Sequence, residues 1–278
     1  MHGKAQINLA LHSTYSYICI MELTNAMRRM VASLDSPRVR HQEGLFKAEG
    51  TKCVLETLPY FRLESLFATD GWLSCAELPV SVRAKVVKVA RKDIERMSSL
   101  SCAPDVIAVY RIPEHTLLPE SLCGKLSLAL DTIQDPGNLG TIMRTADWMG
   151  VDTLICSHDT VDVYNPKVVQ STMGAIARVK VHYVDLSDVL GALAGQLPVI
   201  GTFLDGSDIY ASRLPENGII VIGNEGRGIS EAVERYVDMR LTIPSYPPHR
   251  MKVESLNAAM ATGIVLAEFR RRMIQIHK

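Results

Sequence analysis

Leu126-Ser-Leu-Ala-Leu-Asp-Thr-Ile-Gln-Asp-Pro-Gly-Asn-Leu-Gly140 runs from an apolar stretch through a turn into a segment whose apolar residues Leu139, Ile142, Met143 and Ala146 share one helical face. Strand, turn and helix in that order are the building unit of an α/β fold. Downstream, 153–156, 199–203, 219–222 and 239–243 also read as strands, with helical stretches between most of them. The expectation is a mainly parallel sheet covered on both faces. Ligands of such sheets bind beyond the carboxyl ends of the strands, so the turns that follow them are where chemistry should lie.

Three of those turns stand out. In the first, Arg144 points away from the apolar face, toward solvent or a ligand. Taken alone it reads as a surface arginine paired with Asp147 at i+3, and Asn138 reads as a helix cap. The second turn, Gly223-Asn-Glu-Gly-Arg-Gly228, precedes a short helix that Ser230 could cap. Its three glycines let backbone approach a ligand closely. The order G-x-x-G-x-G is not that of a dinucleotide site, and the Gly201 to Gly206 spacing has Ser207 where a P-loop needs lysine. Glu225 alone is a solvated turn residue. The third turn, 243–257, leads into a helix expected over 256–272, whose Ala258, Ala259, Ala261 and Gly263 allow another backbone to pass close by. Ser255 alone reads as its cap.

In this order the three turns resemble the signature motifs of the SpoU (TrmH-type) RNA ribose methyltransferases: Asn138-x-Gly140-x-x-x-Arg144, Ile222-Gly-Asn-Glu-Gly-x-Gly228, and Ile243-Pro followed by Ser255-Leu-Asn257. The resemblance is close over 126–270. It implies a trefoil-knotted α/β catalytic domain with a parallel sheet, S-adenosylmethionine as cofactor and a homodimer with its site across the interface. Carried over by position, Arg144, Asn138, Glu225, Ser255 and Asn257 would line the reaction centre. Thr202, Ile222, Gly223, Gly228, Ile243 and Leu256 would hold the cofactor, and 170–175 would be structural. The sequence departs from the family at Pro247-Pro248-His249 and at Ala258-Ala259, which bears on the floor of the cofactor site.

The activity implied is methylation of a ribose 2′-hydroxyl. The sulfonium methyl needs alignment rather than activation, and no metal. An arginine pKa above ~12 makes Arg144 a poor base, so its expected role is to orient the hydroxyl and stabilise developing negative charge, with an RNA phosphate oxygen or water taking the proton.

Upstream, 45–48, 65–68, 85–89 and 106–110 read as strands of a compact α/β unit, with helical periodicity beginning near Glu22. Gly44-Leu-Phe-x-x-Glu-Gly50 resembles the family's substrate-binding domain more loosely. Two basic clusters, Arg28, Arg29, Arg38, Arg40, His41, Lys47, Lys52 and Arg83, Lys85, Lys88, Arg91, Lys92, Arg96, read either as solvated faces or as a phosphate track. The expected division is an extension over 1–20, a small α/β RNA-binding domain over 21–112, a Pro- and Gly-containing linker over 113–125 and the catalytic domain over 126–278.

Lysine plus arginine and aspartate plus glutamate number 30 each, so an electrostatic footprint for RNA must be local. The six cysteines show neither C-x-x-C pairs nor zinc spacing and read as free thiols. No apolar run approaches the ~20 residues of a spanning helix, and a soluble, cytoplasmic protein with no membrane partner is expected. The separate N-terminal domain favours ribosomal over transfer RNA as substrate. Rival readings are a non-catalytic RNA-binding assembly factor on the same fold and a nucleotide-dependent oxidoreductase, for which the glycine fingerprint is absent.

Overall fold

A computed structural model describes residues 22–247 and 255–276. The first half forms α1 (Asn25–Ser33), α2 (Pro37–Glu43), β1 (Leu45–Glu49), α3 (Thr51–Thr57), β2 (Leu63–Ala68), α4 (Asp70–Cys75), α5 (Val80–Arg83), β3 (Val86–Lys88), α6 (Arg91–Met97) and β4 (Val106–Arg111). The second forms β5 (Leu126–Leu130), α7 (Pro136–Trp148), β6 (Thr153–Cys156), α8 (Pro166–Thr172), β7 (Lys180–Tyr183), α9 (Leu186–Ala192), β8 (Val199–Asp208), β9 (Gly218–Ile222), α10 (Glu231–Glu234), β10 (Met239–Thr242) and α11 (Ala258–Ile276). Helix α1 starts three residues after Glu22 because Thr24 is extended and its hydroxyl accepts the Met27 amide at 3.1 Å.

The small sheet has the order β1-β4-β2-β3, with β1 and β2 antiparallel to β4 and β3 parallel to β2. Alternation sorts its residues. Phe46, Ala48, Leu66 and Ala108 join the core shared with the second half, while Leu45, Phe67, Val87 and Ile107 pack against Val31 of α1, Leu34 just after it, and Ile94 and Met97 of α6.

The large sheet has the order β10-β8-β9-β5-β6-β7, every pairing parallel. From β5 the chain steps outward through β6 and β7, then crosses to the other side. A crevice therefore opens beyond the carboxyl ends of β5 and β9. Strands β5, β6 and β9 are buried at every residue, as central parallel strands must be. Leu126, Leu128 and Leu130 face Leu139, Ile142 and Met143 of α7 and Val265, Leu266 and Phe269 of α11, and Ala129 faces Leu186 and Leu190 of α9. Each large apolar side chain buried there contributes roughly 1.5–3 kcal/mol. Ile142→Asp would unseat the helix that carries Asn138 and Arg144.

Two strands differ from expectation. The half-polar Lys-Val-His-Tyr of β7 escapes the sequence reading because it is an edge strand with one covered face. Strand β8 continues past Phe203 to Asp208, since its ladder with β10 jumps from Gly201–Arg240 to Ser207–Leu241 and residues 202–206 bulge out between.

The basic clusters are partly consumed inside the fold. Arg40 and Lys47 are each 1% exposed, Arg40 gripping Asp162 and Lys47 lying between Asp35 and Glu49, so neither can track a phosphate backbone. Arg28 pairs with Asp93, Lys88 with Asp70 and Arg91 with Asp105. In the 113–125 stretch a 3₁₀ turn, Pro119–Leu122, buries Leu122 in the α9-side core of the large sheet. No helix among the described residues is long and apolar enough to cross a membrane.

Candidate active site

Three segments meet at the mouth of the β5–β9 crevice. After β5, Asp135 is extended and caps α7 by accepting the Asn138 amide at 2.8 Å. The cap expected of Asn138 is thus supplied by Asp135, and the Asn138 carboxamide reaches across the crevice. Its Nδ2 donates to Glu225 Oε1, and its Oδ1 accepts from Asn257 Nδ2 at 2.8 Å. Glu225 Oε1 also accepts the Ala258 amide at 3.2 Å, which sets a carboxylate at the positive end of α11. Asn257 Oδ1 accepts the Ala259 and Met260 amides at 3.1 and 3.2 Å, so Asn257 caps α11 in place of Ser255.

The turn presenting Glu225 is held on all sides. Asn224 and Gly228 exchange backbone hydrogen bonds at 3.0 and 2.8 Å, Asn224 Oδ1 accepts the Gly226 and Arg227 amides, and its Nδ2 donates to Thr132 O at 3.0 Å. A Cβ on Gly223 would lie 2.3 Å from the Gly228 carbonyl carbon, so only glycine fits there. Asp131, 4% exposed, accepts the Ser230 amide at 2.8 Å. Ser230 stands at the start of α10, but its hydroxyl makes no capping bond, contrary to expectation. Thr132 has φ 60°, a strained conformation for a β-branched residue. Asp131, Thr132 and Asn224, which brace this turn, were not singled out in the sequence, although all three lie within the motif stretches quoted above.

Arg144 is exposed on α7, and among the described residues its guanidinium has no hydrogen-bond or ion-pair partner. Asp147, its expected partner, is taken by Arg178. Ser255 is half-buried two residues before Asn257 and outside the hydrogen-bonded cluster. Helices α7 and α8 cross in contact, since a Cβ on Gly140 would lie 2.3 Å from Ser171 Cβ and 3.0 Å from Val168 O.

Thr202 lies within β8 just past its ladder with β9, Ile222 ends β9, and Gly223 and Ile243 directly follow β9 and β10. The β8–β9 ladder stops at Gly201–Val221, where Thr202 Oγ1 bonds Val221 O at 3.2 Å, so the chain leaves the sheet beside Ile222 and Gly223. Gly228, with φ 72°, has open space at its Cβ position, and Leu256 is half exposed. Open backbone with apolar neighbours and few charges fits a ligand such as S-adenosylmethionine. Pro248 and His249 lie outside the described residues. A cavity of about 170 Å³ lies where the two halves join, lined by Tyr60, Phe61, Tyr164 and Arg178 among others, and none of its residues belongs to the cluster. Among the described residues no group of three or more His, Cys, Asp or Glu could hold a metal ion.

Residues 125–267 match the SpoU rRNA Methylase family. The chain belongs to that family. It is 39% identical to a protein from Porphyromonas gingivalis assigned to the TrmH family of RNA methyltransferases, with a TM-score of 0.81 over 90% of this chain and 99% of that one. An AdoMet-bound rRNA methyltransferase from Sinorhizobium meliloti is 26% identical, with a TM-score of 0.78 over 91% of this chain and 98% of that one. In sequence, the chain is 33% identical over 168 residues to the 23S rRNA (guanosine(2553)-2'-O)-methyltransferase of Bacillus subtilis, covering 59% of this chain and 64% of that protein. It thus spans a little under two thirds of that relative's length.

Proposed function

We propose that this chain transfers a methyl group from S-adenosylmethionine to a ribose 2′-hydroxyl of structured RNA, with large-subunit ribosomal RNA favoured over transfer RNA. The observation that carries the reading is the Asn138–Glu225–Asn257 cluster, whose members lie 87 and 119 residues apart in the chain and bond directly. Family membership, the AdoMet-bound Sinorhizobium relative and the Bacillus 23S rRNA enzyme support it.

When bound, S-adenosylmethionine supplies a methyl group already activated by its sulfonium. The chain's task is alignment. Backbone around Gly223, Ile243 and Leu256, flanked by Thr202, Ile222 and Gly228, holds the cofactor. Asn138, Glu225, Ser255 and Asn257 fix the wall against which the acceptor ribose lies. Arg144, with no internal partner among the described residues, orients the hydroxyl and stabilises negative charge as it develops on O2′. The proton leaves to an RNA phosphate oxygen or water, and the reading invokes no metal.

The same reading includes the knotted catalytic domain over 126–278, the small RNA-binding domain over 21–112 joined through 113–125, a cytoplasmic location and a homodimer. Exposed Trp148 on α7 and Met260 and Ile274 on α11 supply apolar surface for a second copy. The test is transfer of labelled methyl from S-adenosylmethionine to ribosomal and transfer RNA from cells lacking the gene. Label in a 2′-O-methylated nucleotide, lost in Arg144→Ala, is expected; cofactor binding without label in any RNA would instead favour the non-catalytic assembly factor.

A further inference from the structure

Arg40 belongs to the N-terminal half, is 1% exposed, and spends half its fork on the other half of the molecule. Its Nη1 donates to Leu34 O at 2.7 Å and Asp35 O at 3.0 Å, while Nε and Nη2 both donate to Asp162 Oδ2, at 2.9 and 2.6 Å. Desolvating a guanidinium is costly, and well-packed apolar residues often dock two surfaces as well or better. A buried arginine at this junction therefore points to a geometric role.

From Asp162 a continuous path leads to the active-site turn. Asp162 lies in the 157–165 connection between β6 and α8, and its Oδ1 accepts the Tyr164 amide at 2.9 Å. The same connection holds the strap that leaves β5: Val161 N donates to Ile133 O at 2.9 Å, Ile133 N to Thr160 Oγ1 at 3.3 Å and Thr132 N to Ser157 Oγ at 2.9 Å. Thr132 O then accepts Asn224 Nδ2, and Asn224 Oδ1 holds the amides of Gly226 and Arg227 around Glu225. Along the route Arg40–Asp162–Val161–Ile133–Thr132–Asn224–Glu225 every link is a direct hydrogen bond or one peptide bond.

We propose that Arg40 is a positioning residue for methyl transfer: by clamping Asp162 it fixes the 157–165 connection, the strained Thr132–Ile133 strap and, through Asn224, the turn that presents Glu225. The inference rests on the methyltransferase reading and deepens it, because it ties the catalytic turn to the seating of the N-terminal half. Docking of the two halves does not depend on this clamp alone. Arg178 bridges Glu56 and Asp147 at 3.0 and 2.8 Å, and the Phe46 and Tyr164 rings lie 4.7 Å apart.

The test compares full-length Asp162→Asn, Ser157→Ala and the double variant. Ser157 touches the strap but has no bond to the N-terminal half, which separates positioning from docking. Each single change is expected to lower kcat about tenfold with RNA KM nearly unchanged, and the double to be little worse than the worse single, because both act by freeing the same 132–133 strap. Amide exchange at 223–228 should quicken in Asp162→Asn while β1 and β4 stay protected. Raised RNA KM with normal kcat, multiplicative effects, or unchanged exchange at 223–228 would each overturn the proposal. If wild-type protein methylates no RNA, the functional reading fails and the exchange measurement alone decides this inference. Should Asp162→Asn not fold, Arg40→Lys, which keeps the charge and loses the fork, takes its place.

Discussion

Arg178 binds both carboxylate oxygens of Asp147, at 2.8 to 3.1 Å, three residues along α7 from Arg144. Hydrogen bonding to Asp147, reinforced by Glu56, raises the Arg178 pKa above that of an ordinary arginine. A carboxylate at i+3 is the natural intrahelical partner of Arg144. By holding Asp147 elsewhere, Arg178 leaves the Arg144 guanidinium available to a substrate.

Arg178→Met releases Asp147 to compete for Arg144. Intrahelical pairs of this kind are worth about 0.2–0.5 kcal/mol, so methyl transfer should fall about twofold. Adding Asp147→Ala should restore it, because the competing carboxylate is gone. Initial rates decide: a loss that persists in the double variant means Arg178 acts by another route. The effect on stability should be small, about 1 kcal/mol or less, since the Arg178 side chain is about a third exposed.

Glu225→Ala strips an acceptor from both Asn138 Nδ2 and the Ala258 amide. In this half-buried place the loss should destabilise the fold by about 1–2 kcal/mol and let the cluster drift, lowering methyl transfer by about a hundredfold. Glu225→Gln keeps one carbonyl acceptor while losing the charge. It should retain most of the stability, so urea unfolding beside initial rates separates scaffold from electrostatics. Wild-type rates in both variants would remove Glu225 from the reaction centre.

The parallel sheet was legible because the central strands β5, β6, β8 and β9 open on apolar runs, while the half-polar edge strand β10 is marked by the distinctive turn that begins at Ile243-Pro. Strand β7 was not, because an edge strand needs only one apolar face and Lys180 is exposed. The three motif turns were legible as patterns, but their contacts were not. Asp135 followed by Pro136 is a local helix-start signal that outranks Asn138 as the cap of α7, whereas Ser255 and Asn257 are both good capping types and the choice between them is not set locally. Arg40 and Lys47 looked like surface charge because a sequence window cannot show Asp162 lying 122 residues away. Long-range pairing of this kind is fixed by how the two halves pack.

Gly140 lies at the crossing of α7 and α8, and its hydrogen faces Ser171 Cβ and Val168 O. Alanine there must push the helices apart, at a cost of about 1–3 kcal/mol despite its better helix propensity. Ser171→Gly should recover part of that loss, since it removes the side-chain clash and leaves the one with the Val168 carbonyl. Thermal unfolding of the two single variants and the double gives the answer. A Gly140→Ala chain as stable as wild type would mean that α7 and α8 separate at this crossing without cost.

Glu268, 4% exposed on α11, accepts from Arg271 Nε and Arg272 Nε, each at 2.7 Å, and Arg272 also donates to Ile209 O and Tyr210 O. The hydrogen bond from Arg271, then that from Arg272, holds its carboxyl at about 2 rather than the ordinary 4.5, against the opposing effect of burial. Because the folded-state value is the lower one, the unfolded chain takes up the proton first as the solution is acidified. The stabilisation is therefore complete above about pH 4.5 and is lost progressively as pH falls through about 2. Glu268→Gln cannot lose what it lacks, so it should be less stable than wild type at neutral pH and the gap should close through that window. Urea midpoints for both proteins between about pH 6 and about pH 2.5 test this. A gap that stays constant would show that the carboxylate charge contributes nothing to anchoring α11, and that Arg272 is held by the carbonyls following β8.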